Sequence, residues 1–190
     1  MEQPCFEDTT FEKVTHLSKG EYENCDFKNC DFSNADFSGI RFLECIFTAC
    51  NLSLLTLGNV TFQKIKFNDC KMLGLHFEHC NSFGLTFRFE NCNLNMSSFY
   101  GLKIKKTVFS RTQLQETDFS EADLTDALFD DCDLTRAAFS NTTLINADFR
   151  TAYNYSINPE INRIKKAKFS LSGITGLLNK YDIQIDGIKS

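Results

Sequence analysis

Residues 117–149 read TDFSEADLTDALFDDCDLTRAAFSNTTLINADF. Through this stretch Phe and Leu alternate at every fifth position: Phe119, Leu124, Phe129, Leu134, Phe139, Leu144, Phe149. A period of five suits neither common element. An α-helix turns by roughly 100° per residue, so steps of five scatter around its axis and leave no stripe. In a flat strand an odd step moves the side chain to the opposite face. A chain that turns a corner once per repeat keeps every centre pointing inward, and four corners close a square coil. Each residue then stacks on the one four repeats earlier, at the strand spacing of about 4.8 Å.

Working outward, the series extends back through Leu114, Phe109, Ile104, Phe99 and Leu94 to Phe89. Below Phe89 the phase slips by two residues within Ser82–Arg88. It then continues as Phe87, Ser82, Phe77, Met72, Phe67, Phe62, Leu57, Leu52, Phe47, Phe42, Phe37, Phe32, Phe27, Tyr22 and Leu17. Only Ser82 breaks the apolar run. Between Phe89 and Phe149 the alternation predicts Phe columns on two opposite faces and Leu/Ile columns on the other two, which fills a narrow core without voids. The slip reads as a two-residue bulge, the usual way a sheet absorbs a register error. A very short functional protrusion is the other reading.

Two residues before each centre lies a second inward slot. The nine cysteines follow this spacing (Cys5, Cys25, Cys30, Cys45, Cys50, Cys70, Cys80, Cys92, Cys132), as do Ala35, Ala122, Ala127, Ala137 and Ala147. Small side chains that are commonly buried suit such a position. Cys25 and Cys45, and likewise Cys30, Cys50 and Cys70, are expected to stack one rung apart. That spacing admits disulfides, but buried free thiols are the expected state. Larger residues occupy the slot at Ile40, Leu55, Ile65, Leu75 and Leu85, where less regular coils are expected.

Units such as Cys25-Asp26-Phe27, Ala35-Asp36-Phe37, Cys92-Asn93-Leu94, Ala122-Asp123-Leu124 and Ala147-Asp148-Phe149 resemble the Ala-Asp/Asn-Leu/Phe-X-X unit of the pentapeptide-repeat family. The resemblance implies an all-β, right-handed quadrilateral β-helix of about seven coils over 15–152, a rod of about 34 Å. Residues 1–14 would form an N-terminal cap and 153–190 a C-terminal cap. Within the latter, Asn158-Pro159-Glu160 has the form of a helix start. A short helix is expected after Ser170, and Tyr181–Ile185 alternates like a strand. A solenoid end exposes core and unpaired backbone. The apolar Leu171, Ile174, Leu177, Leu178, Tyr181, Ile183 and Ile185 are therefore the candidate surface for a two-fold homodimer.

Little in the sequence suggests catalysis. No phosphate-binding glycine loop, nucleophile elbow or Cys–His pair is present. His76 and His79 flank Phe77 at outward positions while Cys80 points inward, so no metal site is expected. No cofactor is called for. The chain starts without a basic, apolar leader and has no apolar run long enough to span a bilayer, so a cytoplasmic location without membrane contact is expected.

The net charge of −5 argues against direct nucleic-acid binding, yet the charge is segregated. Residues 116–150 carry nine carboxylates against Arg136 and Arg150. Eight of them, Glu116, Asp118, Glu121, Asp123, Asp126, Asp130, Asp131 and Asp133, distribute over all four faces as an anionic collar. A basic belt of Lys64, Lys66, Lys71, Lys103, Lys105 and Lys106 precedes it. Members of the Qnr, MfpA and McbG types within the family are DNA mimics that bind DNA gyrase or topoisomerase IV and relieve quinolones or microcin-like inhibitors. The segment Ser156–Ile164 looks like the tail of the McbG type. The resemblance thus implies a topoisomerase-protecting function with the collar as the binding surface. A scaffold that binds some other protein through exposed apolar groups or the basic belt is the alternative.

Overall fold

The computed structural model describes residues 4–185 and shows a parallel β-solenoid. Thirteen short strands alternate with tight turns. They are β1 (Cys5–Glu7), β2 (Thr10–Glu12), β3 (Glu21–Glu23), β4 (Asp26–Lys28), β5 (Arg41–Leu43), β6 (Ile46–Thr48), β7 (Thr61–Gln63), β8 (Ile65–Asn68), β9 (Phe87–Glu90), β10 (Val108–Ser110), β11 (Leu128–Asp130), β12 (Asp148–Phe149) and β13 (Lys168–Phe169). Face 1 holds the four-stranded sheet β1-β3-β5-β7. Face 2 holds a nine-stranded sheet that runs from β2 to β13. Faces 3 and 4 are joined by single bridges such as Asn51↔Lys71 and Ser98↔Asp118.

The register is 20 residues per coil over most of the rod, as in Phe27↔Phe47 and Phe109↔Phe129. Two coils differ. The first closes in 16 residues, Phe6 pairing with Tyr22 and Phe11 with Phe27. The coil holding the phase slip takes 22, with Phe67 paired to Phe89. The slip is therefore a two-residue bulge, and the whole excess lies in the corner of residues 81–86. The ladder runs from Cys5 to Phe169, past both ends of the expected 15–152 span. Nine strands at about 4.8 Å make the rod about 38 Å long, longer than seven coils would give.

The core is the expected one. Phe89, Phe109, Phe129 and Phe149 stack with centroids 4.6–5.2 Å apart. Phe99, Phe119 and Phe139 form the opposite column at 5.3 Å. The columns meet edge-on across the axis, as in Phe109–Phe119 at 5.8 Å and 78°, the T-shaped arrangement that aromatic quadrupoles favour.

The second inward slot has a polar purpose as well as a steric one. Its side chains donate to the carbonyl of the centre one rung below: Cys45 Sγ to Tyr22 O (3.2 Å), Cys132 Sγ to Phe109 O (3.4 Å), Thr142 Oγ1 to Phe119 O (2.9 Å). Cys, Thr and Ser fit because they are small and carry a donor. All nine cysteines are free thiols. Cys5 departs from the pattern. The four-residue shortening of the first coil shifts its phase, Phe6 faces the core instead, and Cys5 is exposed.

The larger residues in this slot are all buried, but only some of their coils stay regular. The 20-residue register holds from Tyr22 through Phe67, past Ile40, Leu55 and Ile65, whereas Leu75 and Leu85 belong to the 22-residue coil, Leu85 within the bulge itself.

The C-terminal expectations need correction. Asn158-Pro159-Glu160 starts no helix: Asn158 Oδ1 accepts from the Glu160 amide and closes a turn. Asn162 then enters the small slot, where its amide donates to Phe139 O and its Oδ1 accepts from the Thr142 amide. That anchors another coil. After Ser170 two 3-10 turns, Ile174–Leu177 and Asn179–Tyr181, take the place of a helix, and residues 181–185 form no strand. These turns lie across Tyr155, which is swung into the core against Phe149 and Phe169. A Cβ at Gly176 would stand 2.3 Å from Tyr155 O, so only glycine permits this closure.

Candidate protein-binding surface

Most repeats end at a corner whose residue has positive φ, near +50 to +60° where it is not glycine, among them Asn24, Leu54, Lys106 and Asn141. A Cβ strains this left-handed conformation, which Asn, Asp and Gly tolerate best. Corner side chains point outward, away from the core, and they divide the collar into two kinds of carboxylate.

Four of the eight collar residues are corners in immediate succession: Glu116, Glu121, Asp126 and Asp131, with φ of 57, 60, 60 and 51°. All four are exposed, one on each edge of the square coil. Asp118, Asp123 and Asp133 differ. They precede a centre, are only half-exposed, and accept from the amide two residues on (Ser120, Thr125 and Thr135, at 2.8–3.1 Å). Asp26, Asp31, Asp36 and Asp148 stand at the same point of the repeat, and Asp31, Asp36 and Asp148 cap in the same way. Aspartate at that point serves the fold.

The electrostatics follow the division. Burial pushes the Asp123 carboxyl up, but bonds from Thr125 and Lys105 outweigh it and leave its pKa below the usual range. Asp133 is likewise lowered, burial being outweighed by Thr135, Gln115 and Asn154. Asp123 also pairs with Lys105 at 3.1 Å, and Glu116 pairs with Arg136. Asp130 lies on face 2 between the Asp126 and Asp131 corners, accepting from Ser110 and Thr151. Glu116, Asp118 and Glu121 frame face 4 and Glu121, Asp123 and Asp126 frame face 1 in the same way, but each of those groups holds an ion-paired member. Asp126, Asp130 and Asp131, about face 2, have no cation within ion-pair distance among the described residues.

The collar is also narrow. On face 1 it is bounded below by Lys103, Lys105 and Lys106, one coil away in the 20-residue register, and above, beyond Thr143, by Arg163, Lys165 and Lys166, two coils away. The belt itself is not continuous. Lys71 stands on face 3, bridged to Asn51 and Asn93. Lys64, Lys103, Lys105 and Lys106 gather on face 1 and its edge with face 2, and Lys66 stands beside them on face 2.

The candidate dimerisation residues divide in two. Leu177 and Leu178 are half-buried in the cap, Leu177 against the core. Leu171, Ile174, Tyr181, Ile183 and Ile185 are exposed, and a hollow beside them is lined by Tyr153, Tyr155, Leu178, Ile183 and Ile185. Tyr181 Oη donates to Glu160 (2.7 Å). His76 and His79 stack outside the rod at 5.5 Å. Among the described residues no set of three or more His, Cys, Asp or Glu side chains is gathered as a metal ion would require. None of the helices among them is long and apolar enough to cross a membrane.

Sequence reading missed two exposed groups, Phe83 at the tip of the bulge and Arg88 beside it. The phase slip was the signal for the first, since a residue inside an insertion is released from the inward pattern.

The fold matches solved structures along almost the whole chain. A trypsin-treated variant of QnrB1, a plasmid-mediated fluoroquinolone resistance protein, aligns at a TM-score of 0.53 and 19% identity, covering 97% of this chain and 98% of that one. HetL, a pentapeptide repeat protein involved in heterocyst differentiation regulation from the cyanobacterium Nostoc sp. strain PCC 7120, aligns at 0.50 and 14% identity, covering 91% and 87%. At these identities the likeness is one of fold. No curated protein sequence matches. The model of the pentapeptide repeat region matches residues 21–88 and 85–153, most of the solenoid, and the chain belongs to the pentapeptide-repeat family.

Proposed function

We propose that this protein is a non-catalytic binding protein that mimics DNA toward a type II topoisomerase, DNA gyrase or topoisomerase IV, and shields it from quinolone-like or microcin-like inhibitors. The observation that carries this reading is the set Asp126, Asp130 and Asp131, which frames face 2 with Asp130 at the end of β11 and Asp126 and Asp131 at the corners on either side, none of them paired with a cation among the described residues. A groove that normally holds DNA phosphates with Lys and Arg would accept such a surface without rearrangement of the rod. Asp118, Asp123 and Asp133 support the coil and contribute field rather than contact. Two chains would associate through the exposed Leu171, Ile174, Tyr181, Ile183 and Ile185, which lengthens the rod and places one collar on each side of the dyad.

The test is gyrase supercoiling in the presence of a quinolone, with purified protein titrated at two salt concentrations. Rescue at low salt that weakens at high salt is expected, because exposed charge pairs are screened over about 8–10 Å. The triple variant Asp126→Asn, Asp130→Asn, Asp131→Asn should fold normally, since Asn tolerates the corner conformation, and should lose rescue. Full rescue by that variant would overturn the reading.

A further inference from the structure

The bulge at 81–86 displays Phe83 with 79% of its surface exposed. The core does not need this ring, because Leu85 and Phe87 on the same segment are buried in its place. Nor is the loop slack. Asn81 Oδ1 accepts from the Phe83 amide at 3.0 Å, Gln63 Nε2 donates to Phe83 O at 3.4 Å, and Thr86 Oγ1 donates to Gly84 O at 3.1 Å. Gly84 takes φ +72°, which turns the chain back toward the rod. A large apolar group is thus held outside the core on a fixed turn.

Its surroundings are cationic. The rung below carries Lys64 and Lys66, Lys66 pairs in register with Arg88 beside the bulge, and the rung above carries Lys103, Lys105 and Lys106. Lys64 is matched by Glu44 and Lys105 by Asp123. Lys66, Arg88, Lys103 and Lys106 are exposed and have no carboxylate within ion-pair distance among the described residues. Four uncompensated cations around a preorganised aromatic ring, on a chain of net charge −5, make a surface opposite in sign to the collar.

We propose that the Phe83 bulge and its cations are a second protein-docking surface, independent of the collar, for an acidic partner segment carrying an apolar seat for the ring. Charge complementarity sets the sign of the partner, and the exposed aromatic supplies the kind of anchor that dominates protein interfaces. The patch spans only three rungs, about 10 Å along the axis. Beyond it lie Glu44 on one side and Asp123 and Asp126 on the other. A nucleic-acid strand following the rod would meet those carboxylates, whereas a short acidic loop or peptide would not.

The experiment is selection of a displayed random dodecapeptide library on the full chain, with the variant F83A/K103E/K106E as counter-selection. All three positions are exposed, so the variant should fold; circular dichroism and thermal melting check that. Enriched peptides should carry Asp or Glu around a Leu, Phe or Trp. A synthetic enriched peptide should bind about 30-fold more weakly to F83A, lose affinity with K103E/K106E and with added salt, and bind the Asp126/Asp130/Asp131 variant unchanged. No enrichment over the counter-selection, equal binding to F83A, or tighter binding of a twelve-nucleotide oligo(dT) would overturn the proposal.

Discussion

Phe67 stacks on Phe89 at 5.3 Å although 22 residues separate them, and Phe89 stacks on Phe109 at 5.2 Å over only 20. The core column does not register the insertion, because the whole excess is looped out at the corner carrying Phe83. Removing Phe83 and Gly84 together should therefore give a uniform 20-residue coil that stays folded. Thermal melting followed by circular dichroism should place the deletion variant within a few degrees of the parent. Loss of the cooperative transition would mean that the bulge is part of the core after all.

Phe109 is buried and touches four rings, stacked on Phe89 and Phe129 and edge-on to Phe99 and Phe119. Phe109→Ala should lower stability by about 3–5 kcal/mol in chemical denaturation, through lost burial and the cavity left behind. Phe109→Leu keeps more of the volume and should cost clearly less. Equal losses would show that ring packing is not what holds the columns.

Acid should loosen the coils at the face aspartates that accept from turn amides. Hydrogen bonds from Ser38, assisted by Lys19, hold the Asp36 carboxyl at a pKa of about 2. Asp123, Asp133 and Asp148 are lowered as well, Asp148 chiefly by Arg150. A carboxylate depressed on folding adds stability that is fully present above its unfolded value of about 3.9 and is lost as pH falls through the folded value. The melting temperature should be nearly flat from neutrality to about pH 5 and fall between about pH 4 and 2. An unchanged melting temperature across that window would contradict these pairings.

The thiols offer a direct check on the small slot. Burial pushes Cys45, Cys80 and Cys132 up to about 12, far from the reactive thiolate range, while Cys5 is exposed. An aromatic disulfide reagent should titrate one thiol rapidly in the native protein and all nine after denaturation. Several fast thiols in the native state would show that the coils open readily.

Most of the solenoid was legible because one residue in five carries the core. From Phe89 to Phe149 the Phe/Leu alternation names both the face and the column of each side chain. The ends were less legible, since a closing coil does not need the repeat. Tyr155 replaces a centre by swinging in from a corner-adjacent position, and Asn162 fills the small slot by hydrogen bonding rather than by being apolar. Neither residue matches the motif. Cys5 kept the spacing of the other cysteines but not their environment, because the first coil is four residues short. Of the candidate site, the sequence located the carboxylates but could not sort them. Asp118 and Asp126 look alike until the corner angle exposes one and a turn amide engages the other. The positive-φ corners did leave a trace, in Asn24, Asn29, Asn34, Gly39, Asn59, Gly74, Asn91 and Gly101 at intervals of five about the slip.

The two strand ladders are unequal: face 2 is laced by nine strands, whereas the sheet on face 1 stops at Thr61–Gln63, where the bulge begins. Mechanically the rod is a column laced across the slip on three sides, by the strands of face 2 and by the Lys71↔Asn93 and His76↔Ser98 bridges of faces 3 and 4, and interrupted there on face 1. Such an object is stiff along the laced sides. What compliance the rod has along face 1 is therefore concentrated at the height of Phe83, while the packing above and below it is kept.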